Sequence, residues 1–222
     1  MVVENVSNSI KVDIWSDIAC PWCFIGKRKF ETAAESFSSD ERAVDVEFHS
    51  FELAPDTPVD FEGSEMDFLS RHKGMPQAKV EQMLGQVAEI ASTVGLEYDF
   101  DAMQHTNTIK AHELLHHAKA HGLQIEMKER LLQAYFEQGR HVGHIADLAD
   151  LAAEIGLDRD EVVKILDEGV YRDAVFADKE QAIEYGISGV PFFVIDGKYG
   201  VSGAQETATF VQVLEKAWSE RA

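Results

Sequence analysis

At 222 residues, the chain is long enough to hide roughly 70% of its unfolded surface in a core of its own, and its 45% hydrophobic, 27% charged composition is that of a globular protein rather than a disordered or fibrous one. Forty acidic against twenty basic side chains give a formal net charge of −20, a field that repels phosphate backbones and anionic membrane surfaces and so argues against nucleic-acid and membrane partners. The acid is spread along the chain, as on a solvated surface, and no low-charge apolar patch advertises a dimer face.

The opening "MVVENVSNSIKVDIW" has no basic n-region, no apolar run of signal length and no small-residue cleavage site, and no later stretch approaches ~18 unbroken apolar residues. The expected location is the cytoplasm, where a close cysteine pair points to catalysis or metal rather than to a lasting structural disulfide. "IKVDIWSD" alternates apolar Ile10, Val12 and Ile14 with polar Lys11 and Asp13, which predicts a short strand. A helix is expected from Pro21 to Phe37, with proline at a first-turn position that tolerates its missing N–H, and "AVDVEFHSF", residues 43 to 51, alternates again as a second strand. A right-handed crossover makes the two strands parallel.

From Ala54 to about Tyr185 the pattern gives only helices, near 65–72, 77–94, 107–121, 126–139, 145–155, 159–167 and 171–185, several closed by glycines such as Gly95, Gly122, Gly139 and Gly156. The chain then returns to strands. Phe192 to Ile195 is an apolar run, Asp196-Gly197 suits a two-residue hairpin turn, and Lys198 to Val201 comes back antiparallel. A final helix, about Gln205 to Trp218, places Phe210, Val211, Leu214 and Trp218 on one face. The expected organisation is one α/β domain from residues 1–53 and 186–222, with an all-helical domain, 54–185, inserted between its halves.

The two cysteines, Cys20 and Cys23, fall in "SDIACPWCFIGKR", at the junction of the first strand and the first helix. Residues three apart share a helix face, about 5–6 Å between Cβ atoms, within reach of a disulfide after a modest adjustment. Three readings compete: a dithiol that cycles with a disulfide, half of a metal site, or two packing thiols. Zinc requires about four ligands, and no histidine or carboxylate lies at finger-like spacing from the pair. Helix-opening placement favours thiolate chemistry, with Cys20 expected to have the lowered pKa and attack first, and Cys23 expected to be more buried and to resolve the mixed disulfide.

Taken with "GISGVPFFVIDGKYGVSGAQ" on the split β-α-β and β-β-α frame, this segment resembles the DsbA-like branch of the thioredoxin superfamily, most closely its FrnE-type members. The resemblance spans essentially the whole chain and implies a thioredoxin fold with a large all-helical insertion. It also implies a thiol-disulfide oxidoreductase acting as a reductase, isomerase or oxidase, with protein or small-molecule thiols and disulfides as partners. The redox-active disulfide serves in place of a separate cofactor, with glutathione as a conceivable co-substrate and no metal. It implies further that the peptide before Pro191 is cis and lies against the cysteine pair, that the Val190 backbone offers hydrogen bonds to an extended substrate, and that Pro21 and Trp22 tune the reduction potential. Asp17, three residues before Cys20, is a candidate influence on its proton, against the alternative of a turn or capping carboxylate.

Two further segments carry chemistry-bearing residues. "HELLH", 112 to 116, matches the zincin pattern, but Lys119 and Gly122 stand where its extended form has glycine and histidine. "NTIKAHELL" is similar to a segment that faces the active-site region in FrnE-type relatives, which implies that Asn107 and His112 line the groove; the competing readings are a helix cap and a surface histidine. The chain also resembles 2-hydroxychromene-2-carboxylate isomerases and kappa-class glutathione transferases, so a glutathione-dependent isomerase or transferase is an alternative, although those enzymes have serine where this chain has Cys20. A peptide-binding, chaperone-like module is the non-catalytic alternative.

Overall fold

The computed structural model describes residues 8–221; residues 1–7, part of the opening segment in which no leader features are read above, and residue 222 lie outside them. Strand β1 (Ser9–Ser16) runs into helix α1 (Pro21–Phe37), which crosses over to β2 (Ala43–Ser50), parallel to β1 with Ile14 opposite Phe48. Helices α2 (Glu65–Lys73), α3 (Gln77–Ser92), α4 (Ile109–Ala120), α5 (Gln124–Phe136), α6 (Ile145–Glu154), α7 (Arg159–Glu168) and α8 (Arg172–Glu184) follow without an intervening strand. The chain closes with the antiparallel hairpin β3 (Phe192–Ile195) and β4 (Tyr199–Ser202), then α9 (Thr207–Ser219). Among the described residues the sheet order is β2-β1-β3-β4, so the first strand is central and pairs with a strand almost two hundred residues away. This is the thioredoxin fold carrying a large helical insertion.

Local chemistry explains the boundaries. At the hairpin, Asp196 and Gly197 both take positive φ, 55° and 65°, and the Lys198 amide donates to the Ile195 carbonyl; pairing therefore resumes at Tyr199, one residue later than the alternation predicts. Helix α4 begins at Ile109 rather than 107 because the Asn107 side chain accepts from the Ile109 amide and holds the chain in a turn. The sheet's outer strand β2 is closed by a side chain, since the Gln124 amide both donates to the Phe48 carbonyl and accepts from its N–H.

Three buried clusters fill the molecule. Ile10, Val12, Ile14, Phe30, Phe193, Phe210 and Leu214 pack one face of the sheet beneath α1 and α9, with Phe193 and Phe210 ring centroids 4.6 Å apart. On the opposite face Trp15 meets Ala182, Ile187 and Val194, which is why the strict alternation of β1 ends at Ile14 and both faces are buried beyond it. The largest cluster lies among the inserted helices and takes in Phe24 and Ile25 of α1. Helix α1 is thus apolar on two sides: Phe30, Ala33 and Phe37 toward the sheet, Phe24 and Ile25 toward the inserted helices.

Candidate functional site

The carboxyl end of β1 delivers the chain into the N-terminus of α1. Cys20 occupies the N-cap position in an extended conformation, Pro21 opens the helix, and the Cys23 amide donates to the Cys20 carbonyl at 3.0 Å. No side chain caps this end, so the first amides of α1 point toward the sulfur positions. Opposite them lies the turn before β3, where the Val190–Pro191 peptide is cis. The Cys20 thiol faces the Val190 carbonyl oxygen at 3.5 Å, and no partner among the described residues satisfies the Val190 N–H. Helix and turn come this close because Gly26 has no side chain: a Cβ there would stand 3.0 Å from the Pro191 ring. The turn is also tied to β4 through the Gly203 amide and the Pro191 carbonyl, 2.8 Å apart.

Cys20 and Cys23 are equally hidden, 3% and 2% exposed, so overall burial does not distinguish them as the sequence predicts. Access does. A cavity of about 490 Å³ is lined by residues that include Cys20, Pro21, Trp22, Val190, Leu53, Phe68 and Leu84; Cys23 is not among its described lining residues. Trp22, 39% exposed, stands at its rim, and the Pro21 carbonyl is held by the Tyr98 hydroxyl at 2.7 Å.

The two thiols are within hydrogen-bonding reach of each other and titrate as a pair. The bond to Cys23, burial and the neighbouring charges of Cys23 and Asp17 push the Cys20 thiol well above its ordinary value. Burial also raises Cys23, but the Cys20 thiol, Lys128, Ser16 and the Asp17 amide outweigh it and bring that thiol below the ordinary value. This differs from the expectation of a lowered Cys20: the positive helix end is offset by desolvation and by a carboxylate the helix pattern could not reveal. The first negative charge is shared inward, toward Cys23.

Asp17 is neither an exposed cap nor a loose carboxylate. It is 1% exposed and accepts from the Leu53 amide (2.7 Å), the Thr108 hydroxyl (2.9 Å), the Ala19 amide (3.4 Å) and His112 Nε2 (3.3 Å). Burial alone raises its pKa; the bonds from His112, Leu53 and Thr108 overcome that and hold it below the usual carboxylate range. His112, expected on a surface or in the groove wall, is fully buried against Asp17, and its Nδ1 has no partner among the described residues. Asn107 turns away from the cavity, donating to the Pro55 carbonyl at 2.9 Å. The wall is formed instead by its neighbours His105, Thr106 and Thr108. His116 reaches Asp178 at 3.1 Å, so the two histidines of "HELLH" serve separate carboxylates.

Two groups escaped the sequence reading. Lys128 is fully buried, its Nζ has no hydrogen-bond partner among the described residues and lies 5.5 Å from the centre of the Phe48 ring, and desolvation holds its pKa down to about 8 against the attraction of Cys23, Asp17 and Cys20. The signal was present: Lys128 sits on the apolar stripe of α5, one turn from Gln124 and Leu131, where a cation is out of place. His105 is buried in the cavity wall, its Nδ1 on Glu65 Oε2 at 2.6 Å and its ring stacked 3.6 Å from Phe68, leaving Nε2 unpaired. No helix among the described residues is long and apolar enough to cross a membrane.

Comparison with known proteins agrees with this geometry. The family model described as DSBA-like thioredoxin domain matches residues 11–215. A probable DsbA oxidoreductase from Streptomyces coelicolor superposes with a TM-score of 0.90 at 38% identity, over 96% of this chain and 92% of that one. The uncharacterized protein YwbO of Bacillus subtilis (strain 168) is 29% identical over 214 residues, covering 96% of this chain and 97% of YwbO. The cytosolic disulfide reductase DsbM from Pseudomonas aeruginosa shares the fold, with a TM-score of 0.61 at 19% identity over 95% of this chain and 96% of its own.

Proposed function

Because this chain belongs to the DSBA-like thioredoxin domain family of oxidoreductase enzymes, we propose that it exchanges thiols and disulfides through Cys20 and Cys23, with Cys20 as the attacking sulfur. The observation that carries the assignment is access: Cys20 lines the cavity beside the Val190 amide, which has no partner among the described residues, and Cys23 does not line it. In the reducing direction, the Cys20 thiolate attacks one sulfur of a substrate disulfide, a Cys20–substrate bond forms, and the first substrate thiolate leaves and takes up a proton. Cys23 then attacks Cys20 Sγ, the Cys20–Cys23 bond forms, and the second substrate thiolate departs. Two electrons pass to the substrate, and a thiol or dithiol reductant restores the pair.

An extended, largely apolar peptide suits the site, with its backbone pairing to Val190 and its side chains among Leu53, Phe68 and Leu84. Protein disulfides are therefore the favoured substrate class. Among the described residues the cavity lining includes Asp17 and Glu65 and no lysine or arginine, a poor cradle for the two carboxylates of glutathione, which serves here as a thiol co-substrate rather than a bound cofactor. This, with cysteine in place of serine at residue 20, weighs against the isomerase or transferase alternative. The working compartment is the cytoplasm, where such a pair is kept reduced.

Equilibration in glutathione buffers of graded potential, followed by Trp22 fluorescence and by thiol count from mass, tests the reading. An intramolecular Cys20–Cys23 disulfide with a reversible midpoint is expected, and a low midpoint identifies a reductase, a high one an oxidase or isomerase. If glutathione adducts form at Cys20 and no internal disulfide appears, the proposal fails in favour of glutathione-dependent chemistry.

A further inference from the structure

Away from the dithiol, the C-terminal end of α4 and the first turn of α7 bring three side chains together, and we propose that His117, His121 and Glu161 form a binding site for a divalent transition-metal ion, zinc by its donor set. One ligand atom from each lies within 4.8 Å of the others. His117 and His121 are one helical turn apart, with ring centroids 4.4 Å apart. Two imidazole nitrogens and one carboxylate oxygen, with water in a fourth place, satisfy tetrahedral zinc.

Three independent features point to a ligand rather than to a chance cluster. His117 is 1% exposed, and neither of its ring nitrogens has a hydrogen-bond partner among the described residues, a state a buried imidazole rarely holds without something to fill it. His121 donates from Nδ1 to the His117 carbonyl oxygen at 2.9 Å, which fixes the tautomer and leaves Nε2 as a free donor atom; metal-bound histidines are commonly oriented by such a backbone bond. Glu161 is exposed and makes no ion pair among the described residues, while its amide is anchored 2.8 Å from the Asp158 cap, so its place on α7 is set.

The other two clusters of ligand type lack this availability. His141 accepts from the Gly143 and His144 amides with Nδ1 and donates to the Val59 carbonyl with Nε2, so both nitrogens beside Asp60 and His144 are spent. His49 is spent on Asp13 and Asp178, in a cluster that already holds Lys11 and Lys119 as cations. Among the described residues, only the α4–α7 junction combines unspent nitrogens with an unpaired carboxylate, and an ion there would tie the two helices together and stabilise the inserted block.

The test uses the full chain with Cys20→Ser and Cys23→Ser, which removes competing sulfur ligands, stripped with a chelator and titrated with Zn²⁺ by calorimetry. One equivalent is expected to bind, with affinity lowered at least about tenfold by His121→Ala and by Glu161→Gln. Co²⁺ should show the intense visible bands of four-coordination, lost in His121→Ala. Both substitutions are at exposed positions, and circular dichroism checks that the fold is kept. Absence of stoichiometric Zn²⁺ binding, or binding that survives both substitutions undiminished, overturns the proposal and has no bearing on the redox reading.

Discussion

The Cys20 sulfur stands 3.5 Å from the Val190 carbonyl oxygen, so the head of α1 and the backbone leading into β3 face one another across the gap where a substrate sulfur would enter. The two cysteines on that gap should fail in different ways. Cys20→Ser should abolish disulfide reduction, by more than about a hundredfold, because no other described thiol opens onto the cavity. Cys23→Ser should stall at a covalent Cys20–substrate adduct visible by mass spectrometry; free turnover in Cys23→Ser would remove the resolving role.

Lys128 offers a subtler test. Lys128→Met keeps the buried volume of α5 while removing the cation that favours a Cys23 thiolate. The lower of the pair's two apparent pKa values, followed by thiolate absorbance near 240 nm, should rise, and breakdown of the mixed disulfide should slow roughly threefold to tenfold at neutral pH. An unchanged titration would place Lys128 outside the electrostatics of the dithiol.

His49 should make stability depend on pH. Burial pulls its pKa down, but Asp13 and Asp178, each 2.8 Å away, raise it from 6.5 to about 9. A histidine with a raised folded-state pKa stabilises fully below its unfolded value, so the contribution is present below pH 6.5 and is lost as pH climbs through 9. The shift corresponds to at most about 3 kcal/mol. Urea unfolding at pH 6 and pH 9.5 should show a decline of that order in the parent and a flatter profile in His49→Gln; parallel profiles would refute the assignment.

Gly26→Ala sets two known effects against each other. Helix propensity improves by about 1 kcal/mol, but the new methyl meets the rigid Pro191 ring at 3.0 Å and Ala204 at 3.4 Å, an overpacking cost of roughly 1–3 kcal/mol. Net destabilisation of about 1 kcal/mol is expected, together with slower disulfide exchange as the turn bearing Val190 is displaced. A more stable variant with full activity would show that the close approach is dispensable.

Period and punctuation made much of this molecule legible. The alternation of Ile10, Val12 and Ile14, the proline-led helix and the Asp196-Gly197 turn are local signals, and the structure places β1 and α1 where they predict and the hairpin's return strand one residue later. The inserted helices followed from their apolar spacing and closing glycines. What local pattern could not show was partnership over long sequence distance. Asp17 meets His112 and Thr108 only through folding, so a residue three before a cysteine gave no hint of a fully buried pin. His112 appeared to lie on the outer side of α4 because its helix is buried nearly all round, leaving no polar face. Lys128 was passed over because a lysine in a charged helix is ordinarily solvated, and its place on the apolar stripe becomes telling only once Cys23 is known to lie nearby.

The central position of β1 also governs how the molecule can be assembled on a ribosome. Its parallel neighbour β2 is synthesised within a few dozen residues, but its antiparallel neighbour β3 does not exist until residue 192. Throughout synthesis of the seven inserted helices, one edge of β1 has no strand to pair with, and the apolar residues destined for α9 have not yet been made. The nascent chain must therefore carry an open strand edge, with its attendant risk of wrong pairing, until β3 arrives to pair with it. The pair of sulfurs at the end of that strand would meanwhile be without the Val190 turn that faces them, so the reactive centre is incomplete until that turn has been made.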